Sequence, residues 1–155
     1  MKKTITKEFQ WDCAHRLWNP KKDERENEEI FGNCFNIHGH TYKMFVTVSS
    51  NKFPDGSDKS ENGMIVNFKN LKQIIKNIII EYQDHSLNLT SGDPLIETLK
   101  NHIELKINIW ENETTCENQI KTFWELLEDV IEAIDCQLEE IKLYETPTSY
   151  ATLSR

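Results

Sequence analysis

Residues 71–82 carry apolar side chains at Leu71, Ile74, Ile75, Ile78, Ile79 and Tyr82, the positions i, i+3, i+4, i+7, i+8 and i+11 of a single helical stripe. A helix with one stripe and polar residues elsewhere must lay that stripe on one apolar surface. A second helix opens at TTCEN, where Thr114 and Glu117 stand at capping-box spacing, and Ile120, Phe123, Trp124, Leu127, Val130, Ile131 and Ile134 continue its stripe. Segments of period two supply the surface that both helices need. Over 4–11, Ile5, Lys7, Phe9 and Trp11 share one face; over 38–49, Tyr42, Met44, Val46 and Val48 oppose Thr41, Lys43, Phe45 and Thr47. A last strand over 137–145 alternates partially through Ile141 and Leu143. The pattern predicts an α+β chain, a mostly antiparallel sheet with two amphipathic helices on one face.

The remaining segments are less periodic. Residues 19–33, NPKKDERENEEIFGN, read as a charged loop or lid, and 51–63 as a loop of turn residues. Between the helices, DPLIETLKNH is compatible with a short helix opening at Asp93-Pro94, and Ile103, Leu105, Ile107 and Ile109 alternate as an additional strand. At 155 residues the chain fits one domain, 1–155, within the usual range of about 100–200. A net charge of −8 argues against broad nucleic-acid or anionic-membrane binding, which need a Lys/Arg surface, while leaving room for a few cations at a pocket. No apolar run approaches the ~20 residues of a membrane span. The start MKKTITKEF has no apolar stretch after its basic residues, and Cys13, Cys34, Cys116 and Cys136 form no CxxC pair. Free thiols in a cytoplasmic compartment are the expectation.

The chemistry concentrates in GNCFNIHGHTYK, residues 32–43. His38 and His40 are two apart at a strand start and therefore share a face, half of a tetrahedral zinc site. His15, at the end of the first strand, is the candidate third ligand. Three histidines without a fourth protein ligand is the pattern of a catalytic zinc, whose open position takes water or substrate. An isolated His-x-His arises often by chance, most such pairs being simply polar strand residues, and spacing alone does not make the three converge. Cys34 sits in a polar turn beside this cation site, where a thiolate is stabilised and can serve as ligand, base or nucleophile. Asp84-His85 follows the first long helix, an acid and an imidazole suited to proton transfer near neutrality. The alternative is a turn with an exposed histidine. His102 has no supporting context.

These pieces resemble, in order along almost the whole chain, the 6-pyruvoyltetrahydropterin synthase / 6-carboxytetrahydropterin synthase family. FQWDCAHRL resembles the family's first strand with zinc ligand His15, and CFNIHGHTYK its cysteine followed by His-Gly-His. GMIVNFKNLK resembles the entry into the first helix, with Asn67 where an aspartate is usual. DHSLN is similar to the Asp-His signature but one residue shorter after His85. TTCEN resembles the opening of the second helix with Thr114 in place of proline, and LYETPTSYA the strand whose glutamate, here Glu145, anchors the pterin.

The resemblance implies a tunnel fold: a four-stranded antiparallel sheet with two helices per subunit, joined into a barrel and a hexamer with active sites between subunits. It implies Zn2+ on His15, His38 and His40 and 7,8-dihydroneopterin triphosphate as the small-molecule substrate. Cys34 would be the base, with Asp84 and His85 of a neighbouring subunit assisting proton transfer. Glu145 would bind the pterin, with Thr115 and Glu117 helping to close its pocket. Two products divide the family, 6-pyruvoyltetrahydropterin and, with loss of acetaldehyde, 6-carboxytetrahydropterin on the route to queuosine. The three residues between Cys34 and His38 resemble the carboxy enzymes. A non-catalytic pterin or purine binder on the same fold is the alternative from another class.

Overall fold

The computed structural model describes residues 2–50, 63–101 and 104–155. The elements run β1 (Thr4–His15), α1 (Glu24–Phe31), β2 (His38–Ser49), α2 (Phe68–Ile75), a π-helical turn (Lys76–Ile80), α3 (Glu81–Gln83), β3 (Leu87–Thr90), α4 (Leu95–Lys100), β4 (Ile107–Trp110), α5 (Cys116–Glu132), β5 (Gln137–Thr146) and β6 (Ser149–Ser154). One sheet of six strands, not the four expected, takes the order β4-β3-β1-β2-β5-β6. β1–β2, β2–β5 and β5–β6 pair antiparallel, whereas β3 pairs parallel with both β1 and β4. The two short parallel strands come from 87–110, and β6 folds back on β5 directly after Glu145.

The apolar rows meet as their periods require. Phe9, Trp11, Cys13, Tyr42, Met44, Val46, Val48, Leu138, Ile141 and Leu143 face Leu71, Ile75, Ile79, Ile120, Phe123, Leu127 and Ile131 in one core. Trp11 stacks on Tyr42 at 5.7 Å and takes the edge of Phe123 at 6.0 Å. The alternate residues Thr4, Thr6, Glu8, Gln10 and Asp12 of β1 are exposed. Leu127 is fully buried at the centre of α5. Leu127→Ala is expected to cost about 2–5 kcal/mol, read as a lower denaturant midpoint; a midpoint unchanged from wild type would contradict this core.

Three local readings change. The segment 19–33 contains α1, opened by a capping box in which Asp23 accepts from Glu26 N and Glu26 accepts from Asp23 N. Asn27 is fully buried and accepts from Asn19 N while donating to the carbonyls of Asn19, Lys22 and Asp23, which compacts the turn before the helix. The cap of α5 is Thr115, accepting from Asn118 N, not Thr114. The expected strand over 103–110 is shorter, Ile107–Trp110, and part of that segment lies outside the described residues, as do 51–62 and His102. Asn67, where an aspartate was usual, still caps α2 by accepting from Lys69 N at 2.8 Å. No described helix is long and apolar enough to cross a membrane.

Candidate active site

Register builds the centre of the site. β1 and β2 pair with His15 opposite His38 and Cys13 opposite His40, so the first strand's last residue lands beside the His-x-His pair. The ligand nitrogens of His15, His38 and His40 all lie within 4.8 Å of one another. Hydrogen bonds set their tautomers. His15 Nδ1 donates to the Thr114 carbonyl at 3.0 Å and His38 Nδ1 to the Asn36 carbonyl at 2.8 Å, since a carbonyl can only accept. The Nε2 atoms of these two rings stand 3.0 Å apart. His40 Nε2 is buried without a hydrogen-bond partner. Burial, with help from neighbouring His38, pulls the His15 pKa down to about 4, and burial also lowers that of His40. Three imidazoles whose ring nitrogens converge in this way fit a cation at their centre. The Nδ1–carbonyl bonds are the outer partners that typically orient metal-binding imidazoles.

Beside this centre lies a cavity of about 240 Å³ lined by His15, Cys34, Thr115, Glu117, Glu145 and Tyr150 among others. Five of the nine candidate residues therefore share one small space. Cys34 reaches it from the tight 3₁₀ turn Gly32–Phe35 that follows α1. Gly32 makes the junction with φ +53, in the left-handed region, while its N–H still donates to Glu28 O. Glu145 Oε1 is 3.5 Å from His15 Nε2 and 3.8 Å from His40 Nε2, and it accepts from the Tyr42 hydroxyl at 3.3 Å. Gln119 Nε2 in turn donates to that hydroxyl at 3.2 Å. Burial pushes the Tyr42 phenol well above its ordinary pKa, so it remains a donor to the carboxylate. Tyr42, Gln119 and Thr114 thus hold the site without having been candidates for it. The available signal was Tyr42 itself, two residues beyond His40 and on the same strand face.

Cys34 is the exposed member of four free cysteines. Burial raises the Cys13 thiol to about 12 and the Cys116 thiol to about 11, and raises that of Cys136 as well. Since the thiolate is the nucleophile, limiting iodoacetamide near neutral pH is expected to label Cys34 and spare the other three. Peptide mass spectrometry reads the outcome, and equal labelling at Cys13 or Cys116 would contradict it.

Asp84 and His85 lie elsewhere in the chain. His85 lines a separate hollow with Asp12, Cys13, Ala14, Gly39, His40, Thr41 and Ser86, and neither residue borders the cavity of Cys34. The two do touch each other, although adjacent residues in extended backbone point apart. His85 takes φ +57, an uncommon value for a non-glycine residue, and its N–H donates to Asp12 O at 2.7 Å. That turn brings His85 Nδ1 to 2.9 Å from Asp84 Oδ1. Asp84 Oδ1 also accepts from Asp12 N, and Lys106 Nζ donates to the carbonyls of Glu81 and Asp84, closing the end of α3. The shortened DHSLN signature leads at once into β3, where buried Asn88 donates to Gln83 Oε1 and accepts from Asn108 Nδ2.

A helix-backed α+β sheet of this order defines a tunnel-fold protein, and solved structures share it. A 6-pyruvoyl tetrahydropterin synthase of Caenorhabditis elegans superposes with a TM-score of 0.71 at 25% identity, covering 100% of this chain and 96% of that one. The family model described as 6-pyruvoyl tetrahydropterin synthase matches residues 4–155, and the chain belongs to that family. Among curated relatives, 6-carboxy-5,6,7,8-tetrahydropterin synthase of Haemophilus influenzae is 32% identical over 94% of both chains. That of Aquifex aeolicus is 30% identical over 97% of both. The 6-pyruvoyl tetrahydrobiopterin synthase of Dictyostelium discoideum is 32% identical over 69% of this chain and 75% of its own.

Proposed function

We propose that the chain is a zinc-dependent lyase that converts 7,8-dihydroneopterin triphosphate and one water to 6-carboxy-5,6,7,8-tetrahydropterin, releasing acetaldehyde and triphosphate, in cytoplasmic queuosine-type 7-deazapurine biosynthesis. The observation that carries the reading is the convergence of His15, His38 and His40 next to a cavity lined by Cys34 and Glu145. His15, His38 and His40 would hold the metal, which when bound supplies Lewis acidity toward the hydroxyls of the substrate's side chain. Cys34, as thiolate, takes a proton from that side chain. Glu145 accepts hydrogen bonds from the pterin's N–H edge, a paired arrangement that fixes orientation, with Tyr42 holding the carboxylate in place. Thr115 and Glu117 line the same cavity and complete the pterin pocket.

Asp84 and His85 do not border the Cys34 cavity within one chain, so their part in proton transfer requires a second copy. The reading therefore includes a homo-oligomer, a hexamer of barrels in which each site takes Asp84-His85 from a neighbour. One pterin synthase domain spans 1–155. The carboxy product is favoured over the pyruvoyl one by the three residues Phe35, Asn36 and Ile37 between Cys34 and His38. Relatives named for the carboxy product also match over 94% and 97% of the chain, against 69% and 70% for two named for the pyruvoyl product.

Product analysis tests the proposal directly. Zinc-loaded protein given 7,8-dihydroneopterin triphosphate is expected to form a carboxytetrahydropterin and acetaldehyde, followed by mass spectrometry and an aldehyde assay. A pyruvoyl product would move the chain to 6-pyruvoyltetrahydropterin synthesis. Tight pterin binding without turnover would favour the non-catalytic binder.

A further inference from the structure

We propose that Arg16 is a positioning residue for the Cys34 thiol, acting through a buried ion pair with Asp93 and a guanidinium clamp on Phe35. The proposal rests on the reading of Cys34 as the base. Arg16 follows His15 directly at the end of β1 and is 7% exposed, an unusual depth for a charge without a partner. Its partner is Asp93, whose side chain is fully buried: Nε donates to Oδ2 at 2.7 Å and Nη2 to Oδ1 at 2.5 Å. This is the bidentate fork that a guanidinium makes and an ammonium cannot. Asp93 is itself oriented, since Oδ1 accepts from Leu95 N at 2.8 Å at the start of α4.

The faces of the guanidinium are also in use. Its central carbon lies 4.7 Å from the Trp18 ring and 5.2 Å from the Phe35 ring, and those two rings are 5.9 Å apart. Phe35 is the residue after Cys34. On the other side, Leu17 N donates to the Cys34 carbonyl at 2.8 Å. The thiol-bearing turn is thus tied to Leu17 by its backbone and to Arg16 through the next side chain. Arg16 O in turn accepts from Thr114 Oγ1, whose own carbonyl orients His15. Residues 15–17 therefore carry, in succession, an imidazole of the centre, the clamp and the backbone tie to the thiol.

Asp93 lies in one of the two segments that no site role had claimed, next to Gly92, and the other is 19–33. The two meet at Gly92 and Pro20 beside the ion pair: Gly92 has φ +83, and a Cβ there would meet Pro20 Cβ at 2.9 Å. A stabilising contact alone would be served as well by apolar residues of similar volume, because desolvating two charges offsets much of their attraction. What the fork adds is a fixed direction, and the element it directs carries Cys34.

The test compares Arg16→Lys, Asp93→Asn and Phe35→Leu with wild type and Cys34→Ala in the zinc-loaded full chain. Arg16→Lys and Asp93→Asn are expected to keep bound zinc and lower kcat about 100-fold with KM within about threefold, the signature of a displaced reacting group. Phe35→Leu, which keeps the ion pair, is expected to lower kcat about tenfold. Iodoacetamide labelling of Cys34 needs no turnover and is expected to quicken about tenfold in all three as the turn opens locally, with Cys13, Cys116 and Cys136 still spared. If Arg16→Lys leaves kcat and labelling within about twofold of wild type, Arg16 does not position the thiol. Labelling of all four cysteines would assign Arg16 to holding the whole fold and would equally overturn the proposal. Wild-type turnover in Cys34→Ala would instead remove Cys34 as the base, a separate failure, while the labelling still reads whether Arg16 holds the turn.

Discussion

Cys34→Ala is expected to keep its metal and lose turnover by about 10²–10⁴-fold, the range for removing a positioned acid–base group. The expectation follows from where the sulfur stands. The converging ligand atoms are nitrogens of His15, His38 and His40, and Cys34 is not among them. It borders the adjoining cavity with Glu145, Thr115 and Glu117, where a bound pterin would place its side chain within reach. The buried thiols of Cys13 and Cys116, raised to about 12 and about 11, remain protonated near neutrality and do not substitute for it. Metal analysis after dialysis and single-turnover rates check both halves. Release of the metal on substitution would make Cys34 a ligand, and unchanged turnover would place the base elsewhere.

His38→Ala is expected to lose bound zinc on dialysis, with an affinity loss beyond the about 10–100-fold typical of removing an outer-sphere partner. His15, His38 and His40 are the three ligand-bearing residues grouped at this point among the described residues, and two imidazoles are too few for a stable site of this kind. His38 is the cleaner substitution because it is only half-buried, whereas His15 is 2% exposed and its removal opens a cavity beside Thr114. A contrasting case is Thr114→Val, which removes the Oγ1 contact but leaves the carbonyl that accepts from His15 Nδ1. That variant is expected to retain most of its zinc. Equal retention by His38→Ala and wild type, measured by metal content with the melting temperature as a folding control, would refute the three-imidazole site.

The core was legible because each element carries its own period. The stripes of 71–82 and 120–134, and the alternation through Tyr42, Met44, Val46 and Val48, each specify a buried face without knowledge of a partner. The same rule placed His38 and His40 together. It did not reveal α1, because the seven charged and amide residues Asp23–Glu29 give no apolar period, although the capping box was present in the letters. Nor did it reveal β3 or β6, whose four and six residues are too short for a period and depend on a neighbouring strand for their hydrogen bonds.

By itself, the sequence determined the helix-backed sheet, the shared face of His38 and His40, and the cysteine ahead of them, because those are consequences of local periodicity and spacing. Only tertiary structure decided that His15 joins them, since this depends on the register that sets His15 opposite His38. The Asp84–His85 contact depends on a left-handed backbone at His85 that β1 stabilises through Asp12. Tyr42, Gln119, Thr114 and Arg16 gained their places in the same way. Their roles rest on hydrogen bonds between residues 77 to 103 positions apart, and no spacing rule along a chain encodes a distance of that kind.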